Sequence, residues 1–360
     1  MRFRLNLPSY PTPTPIKMFQ KKHQTPIQTA YPIPQISTGV SAQTDSPLFS
    51  TIPGEIRQRI YTFTLRAFDD PSKPFNLQHH HYRPGHEYGP KYDLRLLQTC
   101  KRIYHEARLL PVSLNEVTIY LYRGPLSNLP AYSQYDWRAR YRILNEDQRD
   151  AVHTVQIFAR QCYLEGTTDL LVPGSTQPEY MRLCQLGLVT PNSMTTKRVI
   201  LTFRRSDWWS WESPPMSNDQ LGICPWRRGR TDWKQMEAEP LAGPPQDDWE
   251  GWGGQFRYVR GLEALEIEFE TVATKKKQLQ RVIRRAKYWR FPLSGDRVLA
   301  WTGDVKESTW VGAVTLKEDN GDRAIRLKSV QVDGADIKPL MCAYVVMAMK
   351  WRVTEQKQAD

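Results

Sequence analysis

Between Leu262 and Glu270 the side chains alternate with a period of two. Leu265, Ile267 and Phe269 point one way, and Glu266, Glu268 and Glu270 point the other. Such a segment is stable only as a strand with one dry face and one wet, acidic face. Directly after it, about Thr274–Trp289 reads as a helix with Leu279, Val282, Ile283 and Ala286 as its apolar stripe. Lys275, Lys276, Lys277, Arg281, Arg284, Arg285 and Lys287 take most of its other positions. A strand that needs cover on one side, followed by a helix with one greasy face, commits this region to layered α/β packing.

Shorter period-two segments stand upstream, at Val117–Tyr122, Val152–Phe158 and Val199–Phe203. Their irregular spacing suggests a degenerate solenoid-like stack or a mixed sheet region with helices, rather than a clean repeat. Near the end, Val311–Lys317 and Ala324–Val332 flank Asn320-Gly321, which reads as a hairpin with a type I′ turn. Tyr344–Trp351 is short enough for a buried strand, although its apolar run also permits a helix.

The front of the chain follows a different period. Residues 1–45 are rich in Pro, Thr and Gln and form a disordered tail, since they bury too little apolar surface to offset their ordering entropy. Basic residues from Arg2 to Lys22 precede the first acid, Asp45, as in a mitochondrial address. Seven prolines between Pro8 and Pro34 forbid the amphipathic helix such an address needs. From Leu48, helical spacing appears at Ile52, Ile56, Ile60 and Phe63, with Pro53 suited to a first turn. A second helix is expected from Asp93 as N-cap through Leu94, Leu97, Cys100, Tyr104 and Ala107 to a stop at Pro111. Residues 66–92, with four prolines and four of the histidines, read as a mobile loop between them.

The segments 48–61 (Leu-Phe-Ser-Thr-Ile-Pro-Gly-Glu-Ile-Arg-Gln-Arg-Ile-Tyr) and 96–107 (Leu-Leu-Gln-Thr-Cys-Lys-Arg-Ile-Tyr-His-Glu-Ala) resemble a fungal F-box-like family. That family opens on Leu-Pro-x-Glu-Ile-Arg and continues into a helix bearing Cys-Arg-x-Ile and Glu-Ala. Further similarity covers Ile200–Glu212 and Trp252–Trp310. The resemblance implies an F-box-like helical module over 46–125, with the long insertion 66–92 separating helices that lie close together in an ordinary F-box. Behind it would come an α/β region over 126–360 with a Trp-rich loop at 204–255. It further implies a non-catalytic protein–protein interaction protein, a substrate-recruiting adaptor of a ubiquitin ligase. Ile52, Pro53, Ile56 and Ile60 would then meet a Skp1-type adaptor.

The alternative is nucleic-acid binding. Trp208, Trp209 and Trp211, with Arg227 and Arg228 nearby, could stack bases, and Lys276, Arg281, Arg284 and Arg285 could contact phosphate or an acidic partner. The same tryptophans equally suit covering a sheet edge and anchoring long loops, which is the preferred reading. A net charge of +12 fits either partner and decides neither. His79, His80, His81 and His86 lack metal-ligand spacing, so neither metal nor cofactor is expected. No nucleophile elbow, Walker loop or Rossmann glycine pattern occurs, which argues against an enzyme. Five scattered cysteines point to a reducing compartment, hence an intracellular protein of cytoplasm or nucleus. With no apolar run near 20 residues, no membrane partner is expected.

Overall fold

The computed structural model describes residues 39–75, 77, 82–120, 144–165, 195–226, 233–234, 251–314 and 340–355. The chain is a mixed α+β protein in which Gly39–Asp360 form one compact unit. Its centre is a seven-stranded sheet in the order β3-β4-β5-β6-β9-β8-β7, curled as a half-barrel. Strands β3 (Val117–Tyr120), β4 (Thr154–Phe158), β5 (Arg198–Phe203) and β6 (Ala264–Val272) run parallel in chain order. Beyond β6 the sheet turns antiparallel with β9 (Met341–Glu355), β8 (Arg297–Ala313) and β7 (Arg290–Pro292). The first four strands pair in parallel without a repeating strand-plus-helix unit among the described residues. The last three make it a mixed sheet.

Central β5 is buried along almost its whole length, which a Val-Ile-Leu-Thr-Phe run between two parallel neighbours permits. The dry face of β6 holds Leu265, Ile267 and Phe269 against helix α7 (Lys276–Ala286), whose Leu279, Val282, Ile283 and Ala286 are buried there. Within this core Trp252, Trp289, Phe291 and Trp351 meet edge to face, tilted or stacked, with centroids 5.5–6.3 Å apart. A Cβ on Gly251 would lie 2.1 Å from the carbonyl oxygen of Pro225, so only glycine lets Trp252 reach that cluster.

The N-terminal helices pack as a second, smaller core. Helix α1 (Pro47–Ser50) begins after Ser46, with Pro47 in its first turn, and α2 (Gly54–Leu65) begins after Pro53. Tyr61 and Leu65 of α2 bury themselves against Ile103 and Ala107 of α3 (Lys101–Ala107). The expected continuous helix from Asp93 to Pro111 is broken into a 3-10 turn (Arg95–Gln98), α3 and α4 (Leu110–Ser113). Cys100 causes the break. It sits extended at φ −156°, and its thiol accepts the Ile103 N–H as an N-cap. Asp93 instead holds its neighbour Arg95, and Pro111 opens α4 rather than closing α3. Two further helices, α5 (Glu146–Asp150) and α6 (Gln161–Leu164), flank β4.

The segment read as a loop at 66–92 contains an antiparallel pair, β1 (Phe68–Pro74) and β2 (Tyr88–Lys91). Its prolines are tolerated because this is a two-stranded ribbon in which both strands are edges. His79, His80 and His81 lie outside the described residues, as do the expected disordered tail up to residue 38 and the arm Ala324–Val332. Strand β8, which takes in the first residues of the expected arm Val311–Lys317, pairs antiparallel with β9 from Ala313↔Met341 to Arg297↔Glu355 with a register shift between Trp301 and Val305, so Tyr344–Trp351 is strand, while the expected turn at Asn320-Gly321 lies outside the described residues.

Arg57 and Glu106, which belong to the two N-terminal motifs, join those helices. Arg57 donates to both Glu106 oxygens at 3.1 Å, Tyr61 Oη donates at 3.0 Å, and Arg102 at 3.2 Å. Burial pushes the Glu106 carboxyl up, but these three donors outweigh it and hold the group below the usual 4.5. The Tyr61 hydroxyl is pushed up to about 12, chiefly by burial and then by its bond to Glu106. A depressed carboxyl stabilises the fold above its unfolded value and ceases to as pH falls through the folded one. Glu106→Leu should therefore cost about 2 kcal/mol near neutral pH. The gap from wild type should shrink below pH 4.5, as read by urea denaturation across pH.

Candidate functional site

Strands β5 and β6 end side by side, and the crevice outside the carboxyl ends of parallel strands is where α/β sheets place their sites. Here the chain gathers charge. Directly after β5, Arg204 pairs with Asp207 at 2.8 Å, with both side chains buried. Glu270, fully buried near the end of β6, accepts the Arg205 N–H at 3.2 Å and faces the Arg205 guanidinium at 3.5 Å. That guanidinium also lies over the rings of Tyr344, at 4.7 Å, and Trp310, at 5.3 Å. Beside it opens a cleft of about 390 Å³ lined by Arg205, Trp211, Glu212, Thr271, Val272, Val314 and Tyr344.

The rest of the acidic face is compensated in the same way. Glu266 meets Arg198 at 2.6 Å and Lys350 at 3.9 Å, and Glu268 accepts Thr202 Oγ1 at 3.0 Å. Burial holds the nearby Glu116 carboxyl above its ordinary value, with Arg198 counteracting and Glu268 and Glu266 adding to the rise. Arg83, from the connection between β1 and β2, reaches across to Glu268 at 3.0 Å and Glu270 at 3.7 Å. The face expected to be wet is thus dry at Glu270, because a hairpin tip covers it. Arg83 gave no signal in the sequence, since it stands alone in a stretch that reads as loop.

The tryptophan run divides by function. Trp208, 1% exposed, is stacked with Phe203 and Phe269, and its indole donates to the Glu270 carbonyl at 2.8 Å. Half-buried Trp209 donates to Glu165 at 2.7 Å, and Trp211 packs against the core while lining the cleft. Arg227 and Arg228 lie outside the described residues. On α7, Lys276 pairs with Glu307 at 2.5 Å, and Arg281 stacks on Trp233 and donates to Gln220. Arg284 is exposed and Arg285 half-buried. Trp208 therefore belongs to the core and presents no face to a base.

Lys275, at the foot of α7, is buried and donates to the carbonyls of Ser210 at 2.5 Å and Trp211 at 3.1 Å. Burial lowers its ammonium to about 8, with Asp219 partly offsetting the shift. His86 is lowered to about 4 by burial and then by Arg83. Its ring stands edge-on to Phe158 at 5.3 Å. Among the described residues no group of three or more His, Cys, Asp and Glu is placed to hold a metal ion, and no helix is long and apolar enough to cross a membrane.

The partner surface expected on α2 is a separate place. Ile56 and Ile60 are 43% and 39% exposed and Phe63 is 80% exposed, while Pro53 is exposed and Ile52 half-buried. The spacing that marks an amphipathic helix is present, but its apolar stripe faces outward among the described residues, and Tyr61 and Leu65 make the inward contacts. Comparison of the chain with family models, with curated proteins and with solved structures finds no match.

Two outcomes follow from this placement. Trp208→Ala should lose about 3–5 kcal/mol of stability in chemical denaturation, whereas Arg284→Ala should stay within about 0.5 kcal/mol of wild type. For Lys275 the lowered folded value means the unfolded chain binds more protons between pH 8 and 10.5, so its contribution to stability rises with pH there. Lys275→Met should flatten that rise in urea midpoints measured across the window.

Proposed function

We propose that the chain is a non-catalytic protein–protein interaction protein of F-box-like type. In this reading α2 docks on a Skp1-type adaptor of a ubiquitin ligase through Ile52, Pro53, Ile56 and Ile60, and the sheet-bearing body recruits a substrate. The observation that carries it is the outward apolar stripe on a helix already anchored from its other side. Large apolar side chains left in water along one helix face are an unmet hydrophobic demand, and a groove on a partner satisfies it. The family resemblance of the two helical segments names the partner, and the Arg57–Glu106 pair supplies the rigidity such a surface needs.

Nucleic-acid binding has weaker support. Its best stacking candidate, Trp208, is enclosed, and Lys276 is already paired with Glu307.

The test uses the full chain with a purified Skp1-type adaptor. Wild type should bind, and the double variant Ile56→Asp/Ile60→Asp should bind at least about 100-fold more weakly, since hot-spot residues at interface centres carry about 2 kcal/mol or more each. Its thermal unfolding should remain that of wild type, because both positions are exposed. Wild-type protein that ignores the adaptor would overturn the reading.

A further inference from the structure

We propose that the acidic face of β6 is a recognition groove for an arginine-bearing β-turn, and that the chain's own segment Tyr82–His86 occupies it as an intramolecular stand-in. The segment is a tight turn, in which the His86 N–H donates to the Arg83 carbonyl at 2.9 Å and Gly85 takes φ +78°. Arg83, 8% exposed, enters between Glu268 and Glu270, and the Tyr82 carbonyl accepts Arg205 Nη1 at 3.2 Å. The Tyr82 ring meets Trp310 at 6.4 Å, and the His86 ring meets Phe158.

Three observations mark this tip as displaceable. First, the fit is imperfect. Arg83 Nη1 lies 3.0 Å from Glu268 and Nε 3.7 Å from Glu270, yet neither nitrogen makes a hydrogen bond in acceptable geometry, and neither does Glu270 Oε2. A buried charge without its hydrogen bonds has lost hydration that it recovers only in part.

Second, the groove does not need the tip. With Arg83 withdrawn, Glu270 keeps Arg205 and Glu268 keeps Thr202. Third, the strands of the hairpin bury little of themselves. Among the residues of β1 and β2 only Asp70 is buried, and a two-stranded ribbon is marginal by itself. A segment whose guanidinium donated squarely to both carboxylates would satisfy Glu270 Oε2 and release Arg83 to water. None of these groups lies on α2, so the inference stands apart from adaptor docking.

The probe is the capped peptide Tyr-Arg-Pro-Gly-His, compared with the same peptide carrying Met for Arg. The full chain with Arg83→Met should bind the arginine peptide at least tenfold more tightly than wild type does. The methionine peptide should not bind, and adding Glu268→Gln should abolish the gain. In wild type, excess arginine peptide should speed amide exchange of β1 and β2 at least tenfold while β6 and β9 stay protected. If Arg83→Met fails to fold, the wild-type exchange decides alone. Absence of binding to both proteins, or hairpin amides as protected as those of β9 with or without peptide, would overturn the proposal.

Discussion

Three carboxylates on one face of a central strand must each find a cation or stay in water, and the architecture around β6 follows from that demand. Glu266, nearest the strand's beginning, is served by Arg198 on one neighbouring strand and Lys350 on the other. Glu268 takes Thr202 from β5 and Arg83 from the N-terminal hairpin. Glu270, fully buried, takes Arg205 from the turn that follows β5. These partners come from separate elements, so the acidic face ties β5, β9 and the hairpin to one strand. Leu265, Ile267 and Phe269 meanwhile fix α7 on the reverse side. Truncating one member of such a buried pair strands the other charge, which costs far more than the pair itself contributes.

Much of this fold is legible from periodicity. The alternation at Leu265–Glu270 locates β6, the stripe Leu279–Val282–Ile283–Ala286 locates α7, and the Val-Ile-Leu run locates β5. Illegible were features set by an unusual local cap or by contacts remote in sequence. The helix expected over 93–111 breaks because the Cys100 thiol serves as an N-cap, a role for which Ser, Thr, Asp and Asn are the usual candidates. The hairpin at 68–91 was hidden by its prolines, and what seats it is the docking of Arg83 on a sheet nearly 200 residues downstream, not its own propensity.

Helical period alone does not say which side of a helix is inside. On α2 the spacing of Ile52, Ile56, Ile60 and Phe63 is the stronger apolar signal, yet the packed side is the one bearing Tyr61 and Leu65. The deciding element is polar. Arg57 and Tyr61 share a face with Leu65, and all three turn toward Glu106 and α3, where the partly exposed carboxylate accepts three charge-assisted donors while Tyr61 and Leu65 are buried. The residual apolar stripe is what remains after that pair has set the rotation of the helix. The exposed apolar positions Ile56, Ile60 and Phe63 thus arise as the complement of the packed face.

The tryptophans show the opposite case, in which an unusual local composition dissolves into packing. Trp208 sits between Phe203 and Phe269, where its single donor meets the Glu270 carbonyl, so a residue chosen for its bulk also satisfies a buried acceptor. Three positions on, Trp211 reaches the rim of the cleft, and its carbonyl, with that of Ser210, is held by Lys275. The turn after β5 is therefore pinned from the core by Trp208, from α6 by Gln161 and Glu165, and from the foot of α7 by Lys275. That triple anchoring makes Arg205 a fixed charge at the cleft wall. It lets one guanidinium serve the sheet, through Glu270, and the hairpin tip, through the Tyr82 carbonyl, at the same time.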